Sequence, residues 1–242
     1  MSQFDDAKSL LQHAQGKLPE IRAEYETSLS KQNIGASLLV DIKNIMENLR
    51  SALDFSAHGL FELYGASNRN NPKIYFPYAS LSQNLSEFRQ NNRIEVCIPG
   101  ISASRPDIVL KLESYQHFSS TNNKWLPLFM ELNNENKHQQ LTPQVKRERK
   151  QLNITSGGAG ISLGQGAGIS LGQGASIQIG GMTIPGGQTI STDNPAKTIG
   201  PGQQTIITWV SFHFASNNEP VVPFLENALS GVRNIVNELS AI

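Results

Sequence analysis

The sequence is poor in cysteine and carries no excess of charge, and both absences exclude whole classes of protein. Its single cysteine, Cys97, cannot form an intramolecular disulfide, and no group of Cys and His has the spacing of a structural zinc site. Twenty Lys and Arg balance twenty Asp and Glu, so no overall basic field drives non-specific binding of nucleic acid. A disulfide scaffold and a zinc finger are excluded, and a nucleic-acid site would have to be local.

Long apolar runs are absent as well. The longest fall far short of the roughly 18–20 residues that a membrane span needs. The N-terminus has Asp5 and Asp6 where a signal peptide would be basic and then apolar. We therefore expect a cytoplasmic protein with no membrane partner. Its 242 residues suffice for one large domain or two small ones.

Most of the first 140 residues have helical periodicity. Apolar side chains recur near every 3.6 residues from Ser2 to Ser28, although we expect Pro19 to kink or interrupt that helix. The same pattern predicts a helix from Ile34 to Tyr64 with Gly65 as its C-cap, a length that suits an antiparallel bundle. Further helices are predicted from Ser80 or Ser82 to Arg89, from Ser104 to about His117, from Trp125 to Asn136, and from Pro220 to Leu239.

The composition changes near residue 150, after the charged run Lys146–Lys150. Gly158–Gln165 recurs identically as Gly166–Gln173, and a degenerate third copy, Gly174–Gly181, follows. Each copy holds an Ile-x-Leu or Ile-x-Ile triplet between glycines, which favours short strands joined by tight turns. A flexible linker is the alternative. Further strands are predicted at 182–184, 188–191 and 205–214, and the charged run itself is interpreted as a solvated helix end.

These patterns predict an α+β chain. We expect an elongated antiparallel helical bundle of residues 1–150, a glycine-rich β insertion at 151–218 with the octapeptide repeat, and a C-terminal helix of 219–242 packing back on the bundle.

Two clusters could carry chemistry. Arg50, Asp54 and His58 follow one another at four-residue intervals, which aligns a cation, a carboxylate and an imidazole on one helical stripe. A structural ion-pair ladder is the alternative interpretation. Asn133, Lys137 and His138 lie at the end of a predicted helix, either as C-terminal caps or, alongside the first cluster, as a polar binding centre. No cofactor motif and no metal site is predicted.

Arg50, Asp54 and the residues of the second cluster lie in stretches that resemble known sequence motifs. Three stretches resemble a group of uncharacterised bacterial and phage proteins: Asn48–Asp54 (N-L-R-S-A-L-D), the pair Phe76-Pro77, and a stretch of the pattern L-x-N-x-x-K-H that contains Leu132, Asn133, Lys137 and His138. That pattern has Asp where this chain has Asn136, and Arg where it has Gln139. The resemblance covers about residues 35–145 and implies a shared helical fold.

A more remote resemblance is to HEPN-type helical domains. Many of these bundles are dimeric ribonucleases with an Arg and a His separated by four to six residues, whereas Arg50 and His58 have seven between them. The resemblance implies a metal-independent ribonuclease in which Arg50 stabilises the scissile phosphate and His138 or His58 transfers protons. Asp54 would hold Arg50 in position.

Three functions remain open from the sequence. The first is a non-enzymatic binding or interaction protein of bacterial or phage origin that could form a homo-oligomer, in which the β insertion is the recognition or assembly surface for a protein or small-ligand partner. The second is the HEPN-like ribonuclease with an RNA substrate. The third is a protein that binds a small nucleotide-like ligand at Arg50, His58, Asn133 and Lys137.

Overall fold

The structure, a computed structural model, describes residues 2–31, 33–66, 71–138 and 144–242, without the side chains of 136–138 and 209. It is 52% helical and 21% strand, which confirms the mixed helix and sheet composition. The chain divides into two compact units. Met1–Val145 with His213–Ile242 is termed the helical unit, and Lys146–Phe212 is termed the β unit.

The helices of the described residues lie in the helical unit. Their bounds are α1 Gln3–Lys31, α2 Ala36–Tyr64, α3 Leu85–Gln90, α4 Arg93–Cys97, α5 Ile101–Ser104, α6 Pro106–Ser114, a 3-10 turn Thr121–Lys124, α7 Trp125–His138 and α8 Val221–Ser240.

Helices α1 and α2 form the most extensive contact in the helical unit. Contrary to the expected interruption, α1 continues through Pro19. Pro19 is exposed, while Ile21 and Tyr25 beyond it are buried, so packing outweighs the roughly 3 kcal/mol that an interior proline costs a helix. The two helices approach closely at Gly59, where an added Cβ would lie 2.6 Å from the Phe4 ring. Any side chain at Gly59 would therefore displace Phe4.

Helix α8 completes the core by packing against α1, α2 and α7. Its apolar face is buried, as its sequence pattern predicts. The buried residues of this helix are Val221, Val222, Phe224, Leu225, Ala228, Leu229, Val232, Ile235, Val236 and Leu239.

The segment between α2 and α7 differs most from the sequence-based expectation. Helix α3 begins after Asn84, not Ser80 or Ser82, because Asn84 and Glu87 form a reciprocal capping box. Helix α6 ends at Ser114 and does not reach His117. The short helices α4 and α5 were not predicted, since five and four residues are too few to show a period.

Strands β1 and β7 have 13 and 12 residues, the other described strands have four to six, and they pair antiparallel where their register is defined. Their bounds are β1 Gln144–Ser156, β2 Ala159–Gly164, β3 Gly168–Leu171, β4 Ser176–Ile179, β5 Met182–Pro185, β6 Gln188–Ser191 and β7 Gln203–Phe214. In the described residues they form a three-stranded sheet of order β2-β1-β7 and two two-stranded sheets, β3-β6 and β4-β5.

The β unit has a core of its own. Residues from the strands and from the segment after β6 are buried together: Leu152, Ile154, Leu163, Ile179, Met182, Ile184, Ile190 and Ala196. Gly158, Gly166 and Gly174, which open the three octapeptide copies, share a left-handed backbone with φ of 82°, 80° and 81°. That conformation favours glycine and explains the recurrence of glycine at the turns.

The charged run Lys146–Lys150 lies in strand β1 and is not the helix end that was expected. Two of its lysines form ion pairs, one along the strand and one with the loop after β6: Lys146 Nζ lies 2.6 Å from Glu148 Oε1, and Lys150 Nζ lies 3.2 Å from Asp193 Oδ1. The interpretation as a helix end was wrong because the pairing of β1 within the three-stranded sheet outweighs the helix propensity of Lys, Arg and Glu.

Among the helices of the described residues, none combines the length and the apolar character required to cross a bilayer.

Candidate functional site

Arg50 and Asp54 form an ion pair on helix α2. Arg50 Nε donates to Asp54 Oδ2 at 3.0 Å, and the side chains are 11% and 21% exposed. Four-residue spacing on one helical face brings the groups together, as the sequence predicts. Both are too shielded for the pair to be a solvated surface ladder.

The extended segment 71–79 covers this pair. Asp54 Oδ1 accepts a hydrogen bond from the backbone N–H of Phe76 at 2.9 Å, so the carboxylate joins α2 to that segment. Two residues on, the ring of Tyr78 contacts two guanidinium groups, with Arg50 Cζ 5.6 Å and Arg93 Cζ 5.8 Å from its centroid. Cation–π contacts of this kind stabilise each guanidinium by about 0.5–1 kcal/mol.

Helix α7 closes the other side of the cluster. Arg50 Nη1 contacts the Met130 sulfur. Asn133, 1% exposed, donates from Nδ2 to the Met46 carbonyl at 2.8 Å. Asn133 Oδ1 is buried without a hydrogen-bond partner among the described residues. The Arg50–Asp54 pair is thus connected to α7 on one side and to 71–79 on the other, and we call these residues the Arg50 cluster: Arg50, Asp54, Phe76, Tyr78, Met130 and Asn133.

Cys97 lies close enough to this cluster for its charges to act on the thiol. Burial raises the pKa of Cys97, whereas the positive charges of Arg93 and Arg50 lower it and Asp54 raises it. Burial is the largest of these effects, so the thiol is held protonated at neutral pH. A protonated thiol is a poor nucleophile, which fits a packing role for Cys97.

The structure does not bring every predicted site residue into the cluster. His58 is half-buried on α2, and among the described residues it has no hydrogen bond to Asp54. Lys137 and His138 belong to α7, but their side chains lie outside the described residues. The proposed convergence of Lys137 and His138 on Arg50 therefore stays a prediction.

Sequence reasoning missed Tyr78, Met130 and Arg93. A signal for Tyr78 was present, because Pro72 and Pro77 bracket an aromatic-rich stretch and fix it as extended chain. Nothing in the local sequence of Met130 or Arg93 indicates their position, since both reach the cluster only through tertiary packing.

The cluster holds its arginine in a fixed position. Arg50 Nε donates to Asp54, Nη1 contacts the Met130 sulfur, and the guanidinium group lies over the Tyr78 ring. The residue is 9% exposed. A phosphate would have to displace these contacts to reach the guanidinium. Within the residues that the structure describes, no group of three or more His, Cys, Asp and Glu is placed to hold a metal ion.

A second candidate is the β7 edge of the three-stranded sheet. Strand β7 is terminal in the described sheet, and every residue from Gln203 to Thr208 is exposed. Ile206 and Ile207 point to opposite faces of the strand and are 45% and 38% exposed. The strand thus presents apolar side chains on both faces beside an open backbone edge.

Comparison with known proteins gives no relative: no protein-family model, curated protein or solved structure matches this chain.

Proposed function

We propose that this chain is a non-enzymatic interaction protein in which a glycine-rich β insertion, carried by an antiparallel helical bundle, is the assembly surface. The observation that carries the proposal is the exposed edge of β7 at Gln203–Thr208. The partner that this edge fits best is a second copy of the same chain.

The edge lacks the features that keep sheet edges apart. Proteins protect exposed edges with charges, prolines or bulges. No Lys, Arg, Asp or Glu lies between Lys197 and Glu219, and no proline follows Pro201 before the end of β7. An edge without these features is suited to strand addition, in which backbone hydrogen bonds provide affinity.

Side-chain chemistry supports pairing with a second copy. Thr205–Thr208 are all β-branched, the type that pairs best across strands. A two-fold axis through Ile206 would place it opposite its equivalent and Thr205 opposite Ile207 of the copy. Such an arrangement buries apolar side chains on both faces and closes as a symmetric dimer.

The Arg50 cluster supports a structural rather than a catalytic role for the helical unit. Its arginine and carboxylate are bound to each other on α2 and to two further chain segments, 71–79 and α7. On this basis the shared N-L-R-S-A-L-D motif of the bacterial and phage proteins is a fold motif, which stabilises the junction between α2, segment 71–79 and α7.

The experiment is sedimentation velocity of the full chain over a range of concentrations. We expect a dimer for the wild type and a monomer for Ile206→Lys, because a charge on the edge is repelled by its equivalent and is desolvated on pairing. Ile199→Lys is the matched control, since Ile199 is 66% exposed in the same unit but lies outside the strands.

A wild-type chain that stays monomeric at high micromolar concentration would overturn the proposal. A dimer that persists in Ile206→Lys would also overturn it, because the interface would then lie elsewhere. Dissociation in both Ile206→Lys and Ile199→Lys would contradict the assignment to the β7 edge.

A further inference from the structure

Residues of helices α3, α4, α5 and α6, with Asn92 between α3 and α4, line an open cavity of about 390 Å³ in the helical unit. This volume lies near the lower end of the range found for small-molecule sites. Phe88 and Ile94 form its buried floor, and Val109 and Leu110 form its wall. Leu110 is 61% exposed, so an apolar surface that water now contacts continues out of the cavity mouth.

One end of the cavity is electrically neutral. Glu113 is buried, and its two carboxylate oxygens accept hydrogen bonds from Arg89 Nε at 2.7 Å and from Arg89 Nη2 at 2.6 Å. A bidentate pair of this kind satisfies the carboxylate and fixes the arginine. The Arg89–Glu113 pair therefore closes this end without contributing net charge.

Arg93 also lines the cavity, and its pairing differs from that of Arg89. It is half-buried, and within the described part of the chain no carboxylate pairs with it. The nearest acidic residue in its helix, Glu95, instead accepts the N–H groups of Gly100 at 2.5 Å and Ser102 at 3.2 Å. Its one described contact is the Tyr78 ring, which positions the guanidinium without neutralising it.

We propose that this cavity binds a small amphiphile with one carboxylate and an apolar tail. The tail occupies the space over Phe88 and Ile94, and the carboxylate pairs with Arg93 at the rim. Charge complementarity supports this ligand class, because the cavity has one cation that the described protein leaves uncompensated. An uncharged apolar ligand would leave the Arg93 guanidinium unpaired. A dianion would carry one more negative charge than Arg93 can neutralise.

The test is isothermal titration of the full chain with decanoate below its micelle-forming concentration. We expect saturable binding at one site, and at least ten-fold weaker binding of decanol, which has a similar tail without the charge. Arg93→Gln should weaken decanoate binding at least ten-fold and leave decanol binding unchanged. Arg233→Gln, which removes an arginine of α8 outside the cavity, should have no effect.

A second pair of variants tests the location. Ser102 lines the cavity and is exposed, so Ser102→Trp should fill the mouth and abolish decanoate binding with little effect on folding. Ala103→Trp places the same ring one residue away, outside the lining, and should bind as the wild type does. Three results would overturn the proposal: no saturable heat with wild-type chain, equal affinity for decanoate and decanol, or equal losses in Ser102→Trp and Ala103→Trp.

Discussion

Asp54 accepts a hydrogen bond from Arg50 through one carboxylate oxygen while its other oxygen accepts the backbone N–H of Phe76. A single carboxylate therefore joins a turn of α2 to a chain segment 22 residues further on. Because Arg50 is 9% exposed, removal of the carboxylate would leave a buried, uncompensated cation and an unpaired N–H.

Asp54→Ala should therefore lower the free energy of unfolding by about 3 kcal/mol, at the lower end of the cost of breaking a buried pair. Asp54→Asn should cost less, since its amide oxygen can still accept the Phe76 N–H. Urea denaturation followed by circular dichroism measures both. Glu47→Ala is the control, because it breaks the more exposed Lys43–Glu47 pair at the same spacing on α2 and should cost about 0.5 kcal/mol or less. Equal losses for Asp54→Ala and Glu47→Ala would show that the Asp54 pair is not structural.

The ribonuclease hypothesis makes a different prediction for Arg50. A catalytic Arg50 would be replaceable by Ala with loss of RNA cleavage and little loss of stability, and His138→Ala would behave in the same way. We expect instead that Arg50→Ala lowers the stability, and that neither variant changes the cleavage of a fluorescent RNA. Wild-type cleavage that both variants abolish, while their melting curves stay unchanged, would favour the nuclease.

Tyr115 should titrate at unusually high pH. Burial, followed by the hydrogen bond to Glu238 and the charge of that residue, raises the pKa of Tyr115 above its ordinary value of 10.0. Its hydroxyl donates to Glu238 Oε2 at 2.8 Å, and Lys111 Nζ lies 2.6 Å from the same oxygen. A raised folded-state pKa stabilises the fold fully below the unfolded value, and this stability is lost as the pH rises through the folded value.

The ultraviolet absorbance of tyrosinate measures this effect. We expect Tyr115 to ionise only with unfolding at alkaline pH, and Tyr115→Phe should remove that late phase. Tyr75→Phe is the control, since Tyr75 is 48% exposed and its replacement should leave the late phase unchanged. A late phase that survives in Tyr115→Phe would contradict the assignment.

The two identical octapeptides pair with different strands, so deletion of one copy tests whether the sheet pairing requires both. The triplet Ile161–Leu163 of the first copy pairs with β1, whereas Ile169–Leu171 of the second pairs with β6. Deletion of either copy gives the same protein, whose one remaining triplet can satisfy only one of these partners. We expect faster amide hydrogen exchange in whichever of β1 and β6 loses its partner, with unchanged exchange in α2 and α8. Unchanged protection throughout the β unit would mean that the second copy is dispensable for the sheet pairing.

The long elements could be predicted from the sequence because their period repeats many times. Helix α2 extends over 29 residues and α8 over 20, so the apolar stripe of each stands out clearly from composition. Strand β6 has the predicted bounds, Gln188–Ser191, between glycine and asparagine turns. The charged run in β1 could not be placed, because Lys, Arg and Glu are compatible with either a helix or an edge of a sheet.

The candidate site was predictable only in part. The four-residue spacing of Arg50 and Asp54 is a local property, and the ion pair follows from it. The contacts of Tyr78, Met130 and Arg93 depend on residues that are far apart in sequence, and no local pattern specifies them.

By itself, the sequence determined the helical and strand character of the chain, the glycine turns and the Arg50–Asp54 spacing, because each follows from backbone preferences over a few neighbouring residues. Only the tertiary structure decided which strand each identical octapeptide pairs with, which edge of the β unit is open, and that Arg93 lines an apolar cavity. Those outcomes depend on contacts between distant segments, where burial and hydrogen bonding outweigh local preference.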